Sequence, residues 1–344
     1  MTILNAPRYT VDLSRAPDER WNEMLADPWA GKIARKLVKK ASADVVNGLS
    51  QVIKVPVLAG GINAVIKKLM VVALRAGSGD DGYCEELSKF GEISKINFED
   101  LVQANLGYEM ANLHCCSSVA FYRPKIGMIH ARNMDWPLNG LEKSTALIDY
   151  KNAEAGRFCA VSMPGFVGVL SGVAKGRFSA TINLAPGRGI FKGKNIKGAS
   201  APMLLRYVFE KAESFDSAVE MLRRNRTFAP VFYQVTGCKK NESVIIHMRP
   251  DTTNRVYKYT REPLAVTNHE DNFSKPKYLG EECDDEGYNT CIRLETIIEA
   301  ARNCKETSLS GMISILCNEP VLNGNTKQSM VLHPKTGTVI LQEC

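Results

Sequence analysis

The pattern of apolar and polar positions divides the chain near residue 115. Before that point apolar residues recur at helical spacing. After it, short apolar runs alternate with Gly- and Pro-containing breaks. Residues 17–25 (PDERWNEML) open like a helix with early acids, 30–45 and 60–75 continue in kind, and 98–110 reads as a further helix. Asn97 can cap this last helix, with Asp100 near the positive end of its dipole. Phe98, Leu101, Val102, Leu106 and Met110 share one face of it, so it packs on something. The run 77–82 (GSGDDG) is linker-like. Beyond residue 116, strands are predicted at 126–131, 157–162, 177–184, 231–236, 243–248, 264–268, 328–333 and 337–342. Helices fit 200–212, 215–224, 289–303 and 307–317. Strands flanked by pairs of helices predict a layered α+β sandwich in place of alternating βαβ units.

Composition narrows the class. The 344 residues are 44% hydrophobic and 24% charged, an ordinary globular mixture. No apolar run approaches the ~18 residues that a spanning helix needs. The opening Met1–Asn5 has no basic segment followed by an apolar run, so no secretory leader is expected. The net charge is +7, and residues 31–70 hold Lys32, Arg35, Lys36, Lys39, Lys40, Lys54, Lys67 and Lys68 against Asp44 alone. The whole excess sits in that segment. Without readout motifs beside it, nucleic-acid binding is excluded, and an anionic membrane surface competes with a solvated helix face. Ten cysteines include no CxxC and no Cys/His spacing of a zinc site, so no metal is expected.

The chemistry-bearing stretch is Cys115-Cys116-Ser117-Ser118-Val119-Ala120, followed by His130-Ala131-Arg132-Asn133-Met134-Asp135-Trp136. A cysteine opens a strand, and a second strand returns with Arg and Asp on alternate sides of the pleat. A hairpin of this length brings Arg132 and Asp135 back beside Cys116. From the cysteine alone, a buried structural thiol near an ion pair is the simpler reading.

The Cys-x-Ser motif, its spacing to Arg132 and Asp135, and the His-x-Arg-Asn-Met-Asp-aromatic run resemble the acid ceramidase and N-acylethanolamine acid amidase family. These are N-terminal-nucleophile (Ntn) amidases related to bile-salt hydrolases and penicillin V acylases. Tyr9–Leu13 with Arg20-Trp21, Gly165–Gly168, Phe178–Asn183, Val266–Asn268 and Pro320–Asn323 extend the likeness, in order, over nearly the whole chain. The resemblance implies a four-layer αββα Ntn-hydrolase sandwich preceded by a helical N-terminal segment. It also implies self-cleavage between Cys115 and Cys116, into a piece 1–115 and a catalytic piece 116–344 that remain together as an α/β heterodimer. The freed α-amine, which titrates at about 7.7–8, would then be the general base on the nucleophile's own residue. Asp135 would hold that amine, Arg132 would orient Asp135 and the substrate, and Asn268 would offer its amide to the oxyanion. Asn183 matches an asparagine of the family's strand, which offers it either a weaker substrate or oxyanion role or that of a strand-end hydrogen-bonder, and Asn323 is expected to be structural. No cofactor is implied. Choosing Cys115 as leader would lengthen both spacings and require an extra residue at the Arg123-Pro124 turn, so Cys116 is the expected nucleophile.

Two departures stand out. The family carries an arginine in an Asp-Arg-Arg-Thr context, whereas this chain has Tyr288-Asn289-Thr290-Cys291-Ile292-Arg293 after an acidic insertion at 281–286, which leaves Arg293 as the stand-in. The chain also has no cysteine before Cys84, so the bridge that joins the two pieces of acid ceramidase is absent or relocated. That and the missing leader favour a reducing compartment, although the relatives are lysosomal or secreted. The leading expectation is hydrolysis of an N-acylated lipid, a ceramide or an N-acylethanolamine. Acyl transfer to an amine is the second reading, and an unprocessed lipid-binding protein the third.

Overall fold

The computed structural model describes residues 4–53, 56–78, 82–110, 116–136, 143–185, 197–250, 252–270, 273–274 and 289–342. Cys115, the middle of the 77–82 run and the acidic insertion lie outside them. The N-terminal part comprises β1 (Arg8–Asp12), α1 (Asn22–Leu25), α2 (Pro28–Ile53), α3 (Pro56–Ser78), α4 (Gly82–Ser94) and α5 (Phe98–Met110). Next come β2 (Ser117–Arg123), β3 (Gly127–Asp135), β4 (Ala146–Lys151), β5 (Phe158–Ser162), β6 (Ser171–Ala174), β7 (Phe178–Leu184), α6 (Ala201–Lys211) and α7 (Phe215–Arg224). The chain continues through β8 (Val231–Gly237), β9 (Ser243–Met248), β10 (Arg255–Lys258), β11 (Leu264–Val266), α8 (Thr290–Asn303), β12 (Thr326–His333) and β13 (Thr338–Gln342).

The strands form two sheets. One has eight strands in the order β1-β4-β5-β6-β7-β8-β9-β10, and the other five in the order β11-β2-β3-β12-β13. Helices α6 and α7 cover the outer face of the larger sheet, and α8 with a short 3₁₀ turn (Gly311–Leu316) covers that of the smaller one. This is the expected four-layer αββα sandwich. Alternation along β3 assigns its faces. Met128 joins an apolar cluster with Phe232 and Ile245 of the other sheet, while Ile129 and Ala131 join α8 and the 3₁₀ turn.

Several elements differ from the sequence expectation. Strand β3 runs four residues further, to Asp135, and all of Met128–Asp135 is buried. Polar residues inside a strand covered on both faces hide the alternation that marks a half-exposed strand. The segment 17–25 splits into a 3₁₀ turn (Pro17–Glu19) and α1, and the helix expected at 307–317 is only the 3₁₀ turn. The N-terminal part is not purely helical. Its β1 pairs in parallel with β4 and becomes the edge of the larger sheet, with Tyr9 and Val11 turned inward. The Asn97 cap is present: its Oδ1 accepts from the backbone N–H groups of Glu99 (2.9 Å) and Asp100 (3.2 Å). Asn105, on the same helix, accepts from Val167 N (2.9 Å) and donates to Gly165 O (2.8 Å), fixing the Gly165–Gly168 turn. Gly168 is needed there because a Cβ would lie 2.7 Å from that of Pro202.

A buried ion cluster fastens the N-terminal part to the rest. Glu86 of α4, fully buried, accepts from Trp21 Nε1 (2.7 Å), Arg20 Nη1 (2.8 Å) and both terminal nitrogens of Arg206 on α6 (2.6 and 2.7 Å). Arg206 also donates to Val167 O (3.0 Å) and lies over the rings of Tyr83 and Tyr150. Burial alone would raise the Glu86 pKa, but Arg206 and the other donors hold it below the usual carboxylate range. Glu86→Gln should therefore leave Arg20 without its carboxylate and Arg206 with Glu210 alone (2.8 Å), and cost about 3–5 kcal/mol, read as a lower urea midpoint at unchanged slope. Because the folded-state pKa is depressed, this contribution is present above the unfolded carboxylate pKa. The gap between variant and parent should narrow as pH falls through that range.

Candidate active site

The β2–β3 hairpin brings the sequence-predicted residues together. Its register sets Ser118 opposite Arg132 and Ser117 opposite Asn133, with the turn closed by Ile126 N to Arg123 O (3.1 Å). Cys116 lies one residue before the paired stretch, buried, with Sγ 3.5 Å from Arg132 Nη2. Arg132 and Asp135 fall on opposite faces of β3, as the alternation predicts. The thiol and Arg132 share the face between the two sheets, and Asp135 faces the layer of α8.

Arg132 is fully buried and crosses the inter-sheet space. Nη1 donates to Leu170 O and to Ser171 Oγ (2.7 Å), and Nη2 donates to Ile182 O (2.5 Å). Its hydrogen bonds go to the facing sheet and to the thiol, so the expected Arg132–Asp135 contact is replaced by these. Farther along the strand, His130 sits between Ser179 and Thr181 (3.1 Å each), its pKa pushed down to about 3 by burial and by Arg132. It is neutral and structural, in keeping with chemistry that needs no histidine.

Asp135 is held from other directions. Oδ2 accepts from Asn323 Nδ2 (3.0 Å), Thr326 also donates to the carboxylate, and Oδ1 is buried with no hydrogen-bond partner. Burial pushes the carboxyl up to about 6, against the opposing pulls of Arg293, Thr326, Asn323 and Arg132. Asn323, expected to be structural, therefore belongs to the site.

Arg293, the stand-in on the first turn of α8, reaches the Cys116 backbone. Nη1 donates to Cys116 O (2.8 Å) and Ser117 Oγ (2.9 Å), and Nη2 to Asn268 Oδ1 (3.1 Å). Asn268, buried just past β11, donates to Leu184 O (2.8 Å). That leaves its second amide hydrogen for a further acceptor. Asn183 is different. Both its amide hydrogens are used, on Val266 O and Thr267 O (3.0 Å each), tying β7 to the strand that carries Asn268. Its Oδ1 is unpaired, as is Arg132 Nε. Among the described residues, three of the candidate residues thus keep a buried polar atom without a partner, Asp135 Oδ1, Asn183 Oδ1 and Arg132 Nε, each costing about 1–3 kcal/mol. Such a set suits a site that binds something polar.

One site residue escaped the sequence reading. Tyr108 of α5 places its hydroxyl beside the Cys116 thiol and donates to Ile182 O (2.9 Å). Burial and the thiol raise its pKa well above the usual phenol value. Its ring meets Trp136 edge-on at 5.6 Å, and Trp136 borders an apolar cavity of about 30 Å³ between α2, α5 and the 163–166 turn. The signal was the i, i+3 pair Asn105 and Tyr108, which lines up with Leu101 on the packed face of the helix. Among the described residues there is no group of three or more His, Cys, Asp or Glu that could hold a metal. Cys291, outside the N-terminal part, carries a disulfide, where the sequence reading leaves the bridge absent or relocated.

Comparison with known proteins agrees with this geometry. The family described as acyl-coenzyme A:6-aminopenicillanic acid acyl-transferase matches residues 123–320, more than half of the chain, a span that includes Arg132, Asp135, Asn183, Asn268 and Arg293. Acid ceramidase of Heterocephalus glaber is 25% identical over 92% of this chain and 80% of its own. Acid ceramidase of Homo sapiens is 26% identical over 98% and 86%. The solved Caenorhabditis elegans N-acylethanolamine-hydrolyzing acid amidase ortholog superposes with a TM-score of 0.51 at 22% identity, covering 64% of this chain and 93% of that one. A thiol at the head of a hairpin in an αββα sandwich, with this sequence match around it and a likeness to the acid ceramidases over most of the chain, leads to one assignment: the chain belongs to the acyl-coenzyme A:6-aminopenicillanic acid acyl-transferase family.

Proposed function

We propose that this amide-bond hydrolase cleaves itself before Cys116 and then hydrolyses the amide of an N-acylated lipid, either a ceramide or an N-acylethanolamine. The observation that carries the reading is the unpaired Asp135 Oδ1, a buried acceptor at the end of the hairpin that Cys116 leads. A new α-amine on Cys116 would be its natural donor. That amine takes the thiol proton, and the thiolate attacks the amide carbonyl. Asn268 donates its free amide hydrogen to the oxyanion, one such donor being worth ~2.7–4 kcal/mol. The amine leaving group departs with the proton, and water then hydrolyses the thioester, returning the thiol. Arg293 holds the Cys116 carbonyl, and Arg132 fixes the thiol against the facing sheet.

Acyl transfer is the second reading, favoured by the name of the matched family. Both reactions share the thioester, and only access of water or an amine to it separates them.

The partner surface follows from charge and exposure. Val38, Ile66 and Met70, interleaved with the lysines in sequence, are buried, so they are core residues. On α3, however, Val65, Leu69 and Val72 are 58%, 58% and 63% exposed along one face, beside exposed Lys68. Lys32, Lys36 and Lys39 of α2 are exposed as well, whereas Lys67 is paired to Asp100. An apolar stripe with a basic flank fits an anionic bilayer, at about 1 kcal/mol per juxtaposed Lys or Arg.

On a denaturing gel the purified protein should run as two pieces, with the larger beginning at Cys116 by mass. Cys116→Ala should remain one chain and be inactive. Fatty acid should be released from ceramides or N-acylethanolamines but not from acylated amino acids. Formation of a new amide when a free amine is supplied would instead establish the transferase. A chain that stays intact while turning over amides would overturn the cleavage mechanism.

Replacing Lys32, Lys36, Lys39 and Lys68 by Gln should abolish the stimulation of vesicle-borne substrate hydrolysis by anionic lipid while sparing a soluble short-chain amide. In the parent, that stimulation should fall with salt, because screening shortens the reach to ~8 Å at physiological ionic strength. Undiminished vesicle binding by the quadruple variant would reduce these lysines to a solvated face.

A further inference from the structure

We propose that Asn323 is a positioning residue of the active site: it occupies one oxygen of Asp135 and so presents the other to the backbone nitrogen of Cys116. This rests on the reading in which that nitrogen becomes the general base.

The turn before β12 is built to aim one amide. Asn323 Oδ1 accepts from the backbone N–H of Asn325 (2.9 Å), which fixes which end of the side chain is the oxygen. Its Nδ2 is thereby directed to Asp135 Oδ2 (3.0 Å) and Pro320 O (3.3 Å). The turn itself cannot drift. Asn323 N donates to Thr326 Oγ1 (3.1 Å), Thr326 N to Asn323 O (2.9 Å), and Trp136 N to Asn325 O (2.7 Å), directly after Asp135. Thr326 is also the strand partner of Asp135. Two loop residues, one strand partner and the carboxylate thus form one locked unit, and Oδ1 is its single open acceptor.

The direction of that acceptor follows from the faces of the hairpin. The Cys116 side chain lies on the inter-sheet face with Arg132, while Ser117 Oγ and Arg293 lie on the other face with Asp135. Continuing the register one step beyond Ser117 and Asn133 sets Cys116 beside Met134, next to Asp135. The Asp135 carboxylate therefore addresses the backbone of Cys116, while the thiol meets the backbone oxygen of Asp135 (3.9 Å). Asn323 from the turn and Thr326 from β12 hydrogen-bond its carboxylate, while Arg293 from α8 and, from the opposite face of its own strand, Arg132 act on it through their charge. Of these, Asn323 is the side-chain amide placed to choose between the two oxygens.

The amide also favours the charged carboxylate, so its loss has a signed consequence. Asn323→Ala removes a donor. Asn323→Asp keeps the shape and the acceptor for Asn325 N but sets a second carboxylate against the first. Both raise the Asp135 pKa, the second variant more. For turnover of a soluble short-chain amide, the acidic limb of the pH profile should move upward by about one unit in Asn323→Ala and further in Asn323→Asp. KM should stay unchanged and activity should recover above the displaced limb. The Asp135 carboxyl, followed by its ¹³C shift and identified by its absence in Asp135→Asn, should titrate higher in the same order. Thermal melts confirm that each variant folds. Folded variants whose carboxyl titrates as in the parent, or whose activity drops equally at every pH, would overturn the role of Asn323. A parent that hydrolyses no amide would instead count against the proposed function, and the carboxyl titration would still judge Asn323.

Discussion

A guanidinium taken wholly out of water must find oxygen for its donors, and the placing of Arg132 between two sheets meets that demand in one way. Its acceptors are Leu170 O, Ser171 Oγ and Ile182 O, all from or beside strands of the facing sheet. Sheets that otherwise meet through apolar side chains could slide, since burial is non-directional. The arginine adds direction: it pins β3 against β6 and β7 at the end where Cys116 emerges. Unpairing it would leave a buried charge, so separation of the sheets at this end is costly. Nε, the donor left over, faces the same site.

A second buried arginine works on the opposite side of the hairpin. Arg293 ties α8 to the Cys116 carbonyl and to Asn268, while Arg132 meets the thiol. Cys116 is thus gripped by its backbone from one face and by its side chain from the other. Period-two alternation makes this division possible, because one strand can send Arg132 inward and Asp135 outward within four residues. Asn183 serves the same end indirectly. With both amide hydrogens on the strand that bears Asn268, it sets the spacing of the oxyanion candidate without offering a hydrogen of its own.

The N-terminal part is integrated into this frame through a third arginine. Arg206 shares the buried carboxylate of Glu86 with Arg20 and Trp21, while β1 supplies an edge strand and Tyr108 reaches the thiol. Under the proposed cleavage, these contacts would join the two pieces. The parallel pairing of β1 also covers an edge that would otherwise expose unpaired backbone groups.

Local pattern and spacing were enough to expose the layered α+β class, the helices at 98–110, 200–212 and 215–224, the Asn97 cap, and the hairpin that returns Arg132 and Asp135 to Cys116. Each depends on near neighbours in the chain, where periodicity and turn chemistry act directly. Strand β1 stayed hidden because its partner is distant in sequence and its few residues carry no turn signal. The far end of β3 stayed hidden because burial on both faces erases alternation. Asn323 looked structural and Asn183 stayed open between a functional and a strand-end hydrogen-bonding role for the same reason: an amide side chain has no fixed role until its acceptors are placed. Those acceptors come from segments far apart in the chain, so only tertiary packing could decide that Asn183 spends its hydrogens on the frame while Asn323 spends one on Asp135.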